Sequence, residues 1–167
     1  MNFSLLPKII VPALTDVTED LLRSRGIKLL MLDFDNTIVP YTTNIPTEEM
    51  HTWLEIMKKS EIQLCVVSNS KKDRVKKFCA KYGIDCITHA NKPFPKGIKE
   101  CLNKYQISAS ECALVGDQIF TDTMGANGTG VTSILVEAID NHNIWLKLRH
   151  VAELPFIYLA RKRRIRK

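Results

Sequence analysis

Two aspartates, Asp33 and Asp35, directly follow an apolar run of the sequence, with only Phe34 between them. Carboxylates this close repel each other, and burying either one costs free energy unless a cation compensates for its charge. The pair therefore predicts either a solvated turn after a strand, or a site where a metal ion meets a charged substrate. The second interpretation requires further polar groups that converge on the same place.

The apolar segments of the chain predict the strands of a parallel sheet. Such runs suit strands that are buried on both faces, and they occupy residues 28–33, 62–69, 85–89, 112–117 and 131–136. Helical periodicity and capping signals predict three helices between these strands, at residues 47–60, 71–82 and 96–105. The alternation of strands and helices predicts an α/β fold, with three layers built around a doubly wound parallel sheet.

Polar residues stand at or just past the carboxyl ends of four predicted strands. In chain order they are Asp33 with Asp35, then Ser68, Lys92 and Asp117. Doubly wound sheets bind ligands at this edge, so we expect these side chains to converge on one pocket. A divalent cation between Asp33 and Asp117 would relieve the repulsion of the carboxylates, and oxygen ligands suit Mg²⁺. Lys92 and Ser68 could then hold the oxygens of a phosphate.

Four motifs, in this order, resemble those of the haloacid dehalogenase superfamily of phosphatases: DFDNT (33–37), VSN (67–69), KPFP (92–95) and GDQIFTD (116–122). The resemblance covers about residues 28–136 and implies a Rossmann-like core. Only short segments separate the motifs, so a cap domain has no room between them and the implied subclass is the capless one. The segments DFDNTIVPY and LLPKIIVP are similar to the YqeG-type branch, which is related to phosphatidylglycerophosphate (PGP) phosphatase.

The resemblance implies a role for each motif residue. Asp33 would be the nucleophile that forms an aspartyl-phosphate, and Asp35 would be the acid and base. Asp33, Asp117 and the backbone carbonyl of Asp35 would bind Mg²⁺. The other motif residues would support the reaction: Ser68 and Lys92 as catalytic and substrate-binding residues, Asn36, Thr37 and Asn69 as substrate-binding residues, and Asp122 as a carboxylate behind the metal or beside the lysine. Lys96 is the alternative to Lys92, which is favoured because the family lysine precedes a proline.

Positive charge is concentrated at the C-terminal end. The net charge is +6, from 24 Lys and Arg against 18 Asp and Glu, and the last seven residues, RKRRIRK, contain six of the cations. We expect one domain with an N-terminal amphipathic arm (1–25), a core at about 26–140 and a basic tail (155–167). Apolar residues of the arm and Arg161–Lys167 of the tail would contact an anionic membrane, as interfacial anchors do. The alternative is an arm that packs on the sheet and a solvated tail.

The sequence thus predicts a Mg²⁺-dependent phosphomonoesterase, acting on PGP at a membrane surface. A phosphatase of nucleotides or nucleic-acid ends stays open, as does a non-catalytic protein that binds RNA or ribosomes, although the neutral body and sparse aromatics disfavour nucleic acid. No signal peptide and no run of about 18 apolar residues is evident. Five cysteines without a CxxC pair indicate reduced thiols. We expect a cytoplasmic protein, peripheral at the inner membrane face if the tail binds lipid, and the oligomeric state is open.

Overall fold

A parallel sheet of six strands forms the centre of the protein in this computed structural model, which describes residues 4–71, 73–140, 153–160 and 162. The strands are β1 (Ile9–Ile10), β2 (Leu29–Leu32), β3 (Gln63–Val67), β4 (Asp85–Ile87), β5 (Cys112–Gly116) and β6 (Thr132–Leu135). The helices are α1 (Glu19–Arg23), α2 (Glu48–Lys59), α3 (Asp73–Tyr82), α4 (Lys96–Tyr105), α5 (Met124–Thr129) and α6 (153–160). Short 3₁₀ turns lie at Leu14–Asp16 and Ala109–Glu111, and one π-helical turn lies at Ile119–Thr123.

The order of the strands in the sheet is β1-β6-β5-β2-β3-β4, and all neighbours run parallel. Strand β2 is central, because Leu30 pairs with Leu64 of β3 on one side and with Ala113 of β5 on the other. The five strands predicted from apolar runs and the three predicted helices are all present. The predicted α/β fold with a doubly wound parallel sheet is therefore confirmed.

The side chains of β2 alternate between two hydrophobic layers. Leu30 and Leu32 pack in a cluster that also contains the buried faces of α2 and α3. Leu29 and Met31 point to the opposite side and join a cluster with Ile98 of α4 and Ala126 of α5. All four side chains of β2 are fully buried. Helices thus cover both faces of the sheet, and β2 is held in place from each side.

Helix α2 shows how local sequence sets an element and how packing fixes it. The Thr47 side chain accepts a hydrogen bond from the Met50 backbone N–H at 3.2 Å, which begins the helix as the capping signal predicted. Trp53 is buried, and its indole nitrogen donates to the Val17 carbonyl at 2.9 Å. The helix is therefore tied to the segment that precedes β2 as well as to the sheet.

The N-terminal segment differs from the predicted surface arm. Ile9 and Ile10 form β1, which pairs in parallel with Ile134 and Leu135 of β6, and Ile9 is 1% exposed. A membrane contact through Ile9 is therefore wrong, because the sheet buries this side chain. The alternative, an N-terminal segment packed on the sheet, describes these residues. Residues 1–3 lie outside the described part of the chain.

Between the strands at the carboxyl edge of the sheet, the described chain adds little besides single helices. One loop and α2 connect β2 to β3, and α3 connects β3 to β4, so the described residues contain no cap domain. The five cysteines are free thiols, and all except Cys86 are buried. None of the helices in the described part of the chain has the length and apolar character that crossing a bilayer requires.

Candidate active site

Polar side chains collect at the carboxyl ends of four neighbouring strands. Asp33 directly follows β2, Ser68 follows β3 and Asp117 follows β5, while Lys92 lies in the segment between β4 and α4. The Lys92 ammonium lies 2.6 Å from Asp33 Oδ1, although the two residues are 59 positions apart in the chain. Asp33 and Lys92 therefore meet, as expected from the order of the strands in the sheet, while Ser68 stands at the end of the neighbouring strand.

Lys92 forms ion pairs with two carboxylates inside the protein. Its Nζ lies 2.6 Å from Asp33 Oδ1 and 2.7 Å from Asp122 Oδ1, and the lysine side chain is 1% exposed. Burial alone would lower the pKa of Lys92, but the negative charges of Asp122 and Asp33 outweigh it and raise the pKa. The ammonium therefore stays charged. Lys96 is exposed at the start of α4, so Lys92 is the lysine at this site.

Asn69 fixes the backbone that carries this lysine. Its amide nitrogen donates to the Lys92 carbonyl at 2.9 Å, and its Oδ1 accepts from the Lys92 N–H at 2.6 Å. Both ends of the Asn69 amide are thus used on one residue of the neighbouring segment. These contacts support a role in placing Lys92, whereas the sequence predicted that Asn69 binds substrate.

Three buried carboxylates form an acidic cluster. One oxygen from each of Asp33, Asp117 and Asp122 lies within 4.8 Å of the others. Burial and the nearby charge of Asp33 raise the pKa of Asp122 to about 6, although Lys92 opposes this shift. The three carboxylates offer the oxygen ligands that Mg²⁺ prefers, so the cluster could hold a divalent cation.

Asp122 is held on both of its oxygens. Oδ1 faces Lys92, and Oδ2 accepts a hydrogen bond from the Gln118 N–H at 3.2 Å. Asp122 lies in the π-helical turn that follows β5, and this turn brings its side chain back against Gly116. Of the two roles expected for Asp122, orienting the lysine is the one that these contacts support.

The polar residues near Asp33 have two kinds of contact: Thr37 contacts the Asp33 carboxylate, whereas Asn36 binds the backbone of another segment. Thr37 Oγ1 donates to Asp33 Oδ2 at 3.4 Å, and buried Ser68 accepts from the Ser70 N–H at 3.0 Å, which leaves the serine hydroxyl hydrogen to be donated elsewhere. Asn36 is fully buried in a left-handed backbone conformation, and its amide donates to the Asp140 carbonyl at 2.6 Å. Asn36 thus ties the loop after β2 to the segment after β6, and the substrate contact predicted for it stays a prediction.

Two residues near the site were missed in the sequence. Arg74, the second residue of α3, forms an ion pair with Asp35 at 3.3 Å. Glu153 of α6 is buried and accepts a hydrogen bond at 2.9 Å from the N–H of Ile119, which is two residues after Asp117. An arginine early in a surface helix and a lone glutamate near a basic tail carry no distinguishing motif. Arg161 and residues 163–167 of that tail lie outside the described residues.

The parallel sheet with helices on both faces is a fold that this chain shares with a solved phosphatase structure. A solved structure of 3-deoxy-D-manno-octulosonate 8-phosphate phosphatase from Yersinia pestis shares the fold, with a TM-score of 0.55 and 17% identity over 80% of this chain and 76% of that one.

A family model described as mitochondrial PGP phosphatase matches residues 2–139. The chain is 34% identical over 131 residues to the probable phosphatase YqeG of Bacillus subtilis, which covers 78% of this chain and 76% of the relative. It is 33% identical over 138 residues to the mitochondrial phosphatidylglycerophosphatase GEP4 of Saccharomyces cerevisiae, covering 74% and 73% of the two chains. This chain therefore belongs to the PGP phosphatase family.

Proposed function

We propose that the protein hydrolyses the terminal phosphomonoester of PGP, in a Mg²⁺-dependent reaction that passes through an aspartyl-phosphate on Asp33. The observation that carries the proposal is the buried pair of Asp33 and Lys92 at the open edge of the sheet, in a chain of this family. The name of the yeast relative supports the choice of substrate.

Asp33 is the nucleophile in this proposal. A carboxylate oxygen of Asp33 attacks phosphorus, and the bond between phosphorus and the leaving oxygen breaks. Lys92, 2.6 Å from Asp33 Oδ1, offsets the negative charge that the phosphate brings to the carboxylate. Ser68 donates its hydroxyl hydrogen to a phosphoryl oxygen. The buried position of Asp33 supports this role, because few water molecules compete for its oxygens.

Asp35 transfers the protons. In the first step its carboxylic acid gives a proton to the leaving oxygen, which departs as an alcohol. In the second step the Asp35 carboxylate takes a proton from water as the water attacks phosphorus and the bond to Asp33 breaks. Inorganic phosphate is released, and both aspartates return to their starting states. Asp35 is more exposed than Asp33, which suits a group that meets both the alcohol and the water.

Asp33, Asp117 and the Asp35 backbone carbonyl would hold the Mg²⁺ ion. When bound, the cation neutralises phosphate oxygens and the charge that develops on them. Asp122 is held by Lys92 and by the Gln118 N–H, so it orients the lysine instead of completing the ligand set. The buried, oxygen-only donor set of this cluster supports the assignment.

Exposed apolar side chains around the site support a substrate presented by a membrane. Four of them lie in segments that leave the catalytic edge: Tyr41, Ile45, Phe94 and Ile139. Phe94 is two residues after Lys92, and the Ile139 N–H donates to the Asn36 carbonyl at 3.0 Å. An open site with an apolar rim suits a phosphate that projects from a lipid surface.

We propose that helix α6 extends this apolar rim toward the basic tail. Phe156 packs against Phe120 with ring centroids 6.1 Å apart, and the exposed side chains of the helix include Leu154, Tyr158 and Leu159. Arg161–Lys167 of the tail follow in the sequence and would attract anionic lipid. Each cation near the membrane surface would contribute about 1 kcal/mol to the free energy of binding. The protein would then act as a peripheral protein at the inner face of the membrane.

The test measures phosphate release by the full chain from PGP in mixed micelles, with Mg²⁺ or with EDTA. Glycerol 3-phosphate, a nucleoside monophosphate and a 5′-phosphorylated oligonucleotide complete the substrate panel. We expect PGP to have the highest kcat/KM and EDTA to abolish turnover. Asp33→Asn should lower kcat by more than ~1,000-fold, as loss of a covalent nucleophile does.

Asp85→Asn is the matched control, because Asp85 is a half-exposed aspartate at the start of β4 and its partner is Lys104. This variant should keep its phosphatase activity. Full Mg²⁺-dependent activity of Asp33→Asn would refute the catalytic assignment. Faster hydrolysis of the nucleotide or the oligonucleotide than of PGP would refute the lipid substrate and leave the phosphatase assignment standing.

A further inference from the structure

We propose that Arg74 is a positioning residue that holds the Asp35 carboxylate, together with the loop after it, in the geometry required for proton transfer. The inference rests on the acid and base role proposed for Asp35. It is carried by four polar contacts of one guanidinium group, which join α3, the catalytic loop and the segment that follows it.

The guanidinium group binds three backbone carbonyls of one loop. Nη1 donates to the Tyr41 carbonyl at 2.9 Å, and Nη2 donates to the carbonyls of Pro40 at 3.1 Å and Thr43 at 2.9 Å. Nη2 also lies 3.3 Å from Asp35 Oδ1. Arg74 therefore links the loop 40–43 and the carboxylate to the first turn of a helix whose far face is packed in the core.

Burial separates this arginine from an ordinary surface cation. Its side chain is 11% exposed. The guanidinium carbon lies 5.1 Å from the centre of the ring of Phe34, the residue that stands between Asp33 and Asp35 in the sequence. Its Nε is buried and has no hydrogen-bond partner among the described residues. The planar guanidinium group lies over an aromatic ring and can donate to several fixed acceptors at once. The compact ammonium of a lysine does not match such a set of acceptors.

The same contacts argue against direct phosphate binding by Arg74. Nη2, which lies beside Asp35, already faces three protein acceptors with its two hydrogens, so a phosphate would have to displace a carbonyl or Asp35 to bind there. The charge is used instead to keep the Asp35 side chain in one orientation. Since errors of about 1 Å in the placement of a catalytic group cost up to ~100-fold in rate, a fixed Asp35 matters for the chemical step.

Leaving groups of different basicity provide a test that a purely structural role would not pass. A proton from Asp35 is required when an alkoxide leaves, and it matters little when p-nitrophenolate leaves. In Arg74→Met we expect kcat/KM, which reports the steps up to departure of the leaving group, to fall by ~10- to 100-fold for an alkyl phosphate but by less than about threefold for p-nitrophenyl phosphate.

Two further variants complete the set. Arg74→Lys keeps a charge near Asp35 but loses the carbonyl contacts, so its loss on the alkyl phosphate should be intermediate; this variant carries the test if Arg74→Met does not fold. Lys77→Met removes an exposed cation of the same helix and should match the wild type on both substrates.

Asp35→Asn separates the possible failures. If this variant loses the same factor in kcat/KM on both substrates, the proposed role of Asp35 as the acid is wrong and the inference falls with it. If Asp35→Asn depends on the leaving group while both Arg74 variants lose equally on the two substrates, the role of Arg74 is refuted and that of Asp35 stands. Parallel losses of Arg74→Met and Asp35→Asn on the alkyl phosphate alone would support both.

Discussion

Replacing Lys92 by methionine should make the stability of the protein depend strongly on pH. The substitution keeps much of the side-chain volume and removes the ammonium that lies 2.6 Å from Asp33 and 2.7 Å from Asp122. Asp33, Asp117 and Asp122 would then be buried without this cation. Removing one partner of a buried ion pair usually destabilises a protein by about 3–5 kcal/mol.

The pH dependence follows from Asp122, whose pKa is about 6 in the folded protein because burial and Asp33 raise it against the effect of Lys92. When the pKa of a carboxyl group is higher in the folded protein than in the unfolded chain, the free energy of unfolding falls as the pH rises from the unfolded to the folded pKa. In the wild type this loss stops growing above about pH 6, because Asp122 ionises beside Lys92. The variant has to keep Asp122 protonated, which costs 1.36 kcal/mol per pH unit, or about 2.7 kcal/mol between pH 6 and pH 8.

Urea unfolding in EDTA at pH 6 and pH 8 measures this difference. We expect Lys92→Met to lose about 3–5 kcal/mol at pH 8, and the loss to be about 2–3 kcal/mol smaller at pH 6. Lys96→Met, which alters the exposed lysine of the same motif, should stay within about 0.5 kcal/mol of the wild type at both values. A loss below about 1 kcal/mol at pH 8, or an equal loss at the two pH values, would refute the reasoning.

Two further predictions concern the support of the site and its rim. Gly116→Ala places a Cβ 2.7 Å from Asp122 Cβ and closer still to its carboxylate, so kcat should fall ~10-fold or more as Asp122 is pushed from the lysine; an unchanged kcat in the substrate assay would contradict this placement. Ile45→Ser should reduce co-sedimentation with phosphatidylglycerol vesicles, whereas Ile56→Ser, at an exposed isoleucine of α2, should not. Equal binding of both variants would argue against the apolar rim.

The central strands could be predicted because their sequences leave little choice. The segment Leu29–Leu32 is buried on both faces, and a continuous apolar run in an α/β pattern has few other places to lie. Strand β1 was missed because only Ile9 and Ile10 pair with β6, and two apolar residues are too few to show the sequence pattern that predicts a strand. Their partner, β6, is the last described strand along the chain, and a local sequence pattern does not show a pairing between such distant segments.

Asp33, Lys92 and Asp117 lie close together because the sheet places strand ends side by side. The roles of their neighbours could not be predicted in the same way, since they depend on side-chain direction. Asn36 and Asn69 stand beside catalytic residues in sequence, yet both use their amides on the backbone of other segments. Arg74 and Glu153 act across distances in the chain that no motif spans.

The pairing of β1 with β6 has a consequence for the order in which the protein folds. The Lys8 N–H donates to Ser133 Oγ, 125 residues later in the chain, so β1 can pair with β6 only after most of the described chain has been synthesised. During translation the four strands β2 to β5 can already associate, while Ile9 remains in water. The N-terminal segment should therefore dock last, and its docking completes the sheet next to the strand whose continuation, at Ile139, contacts the catalytic loop.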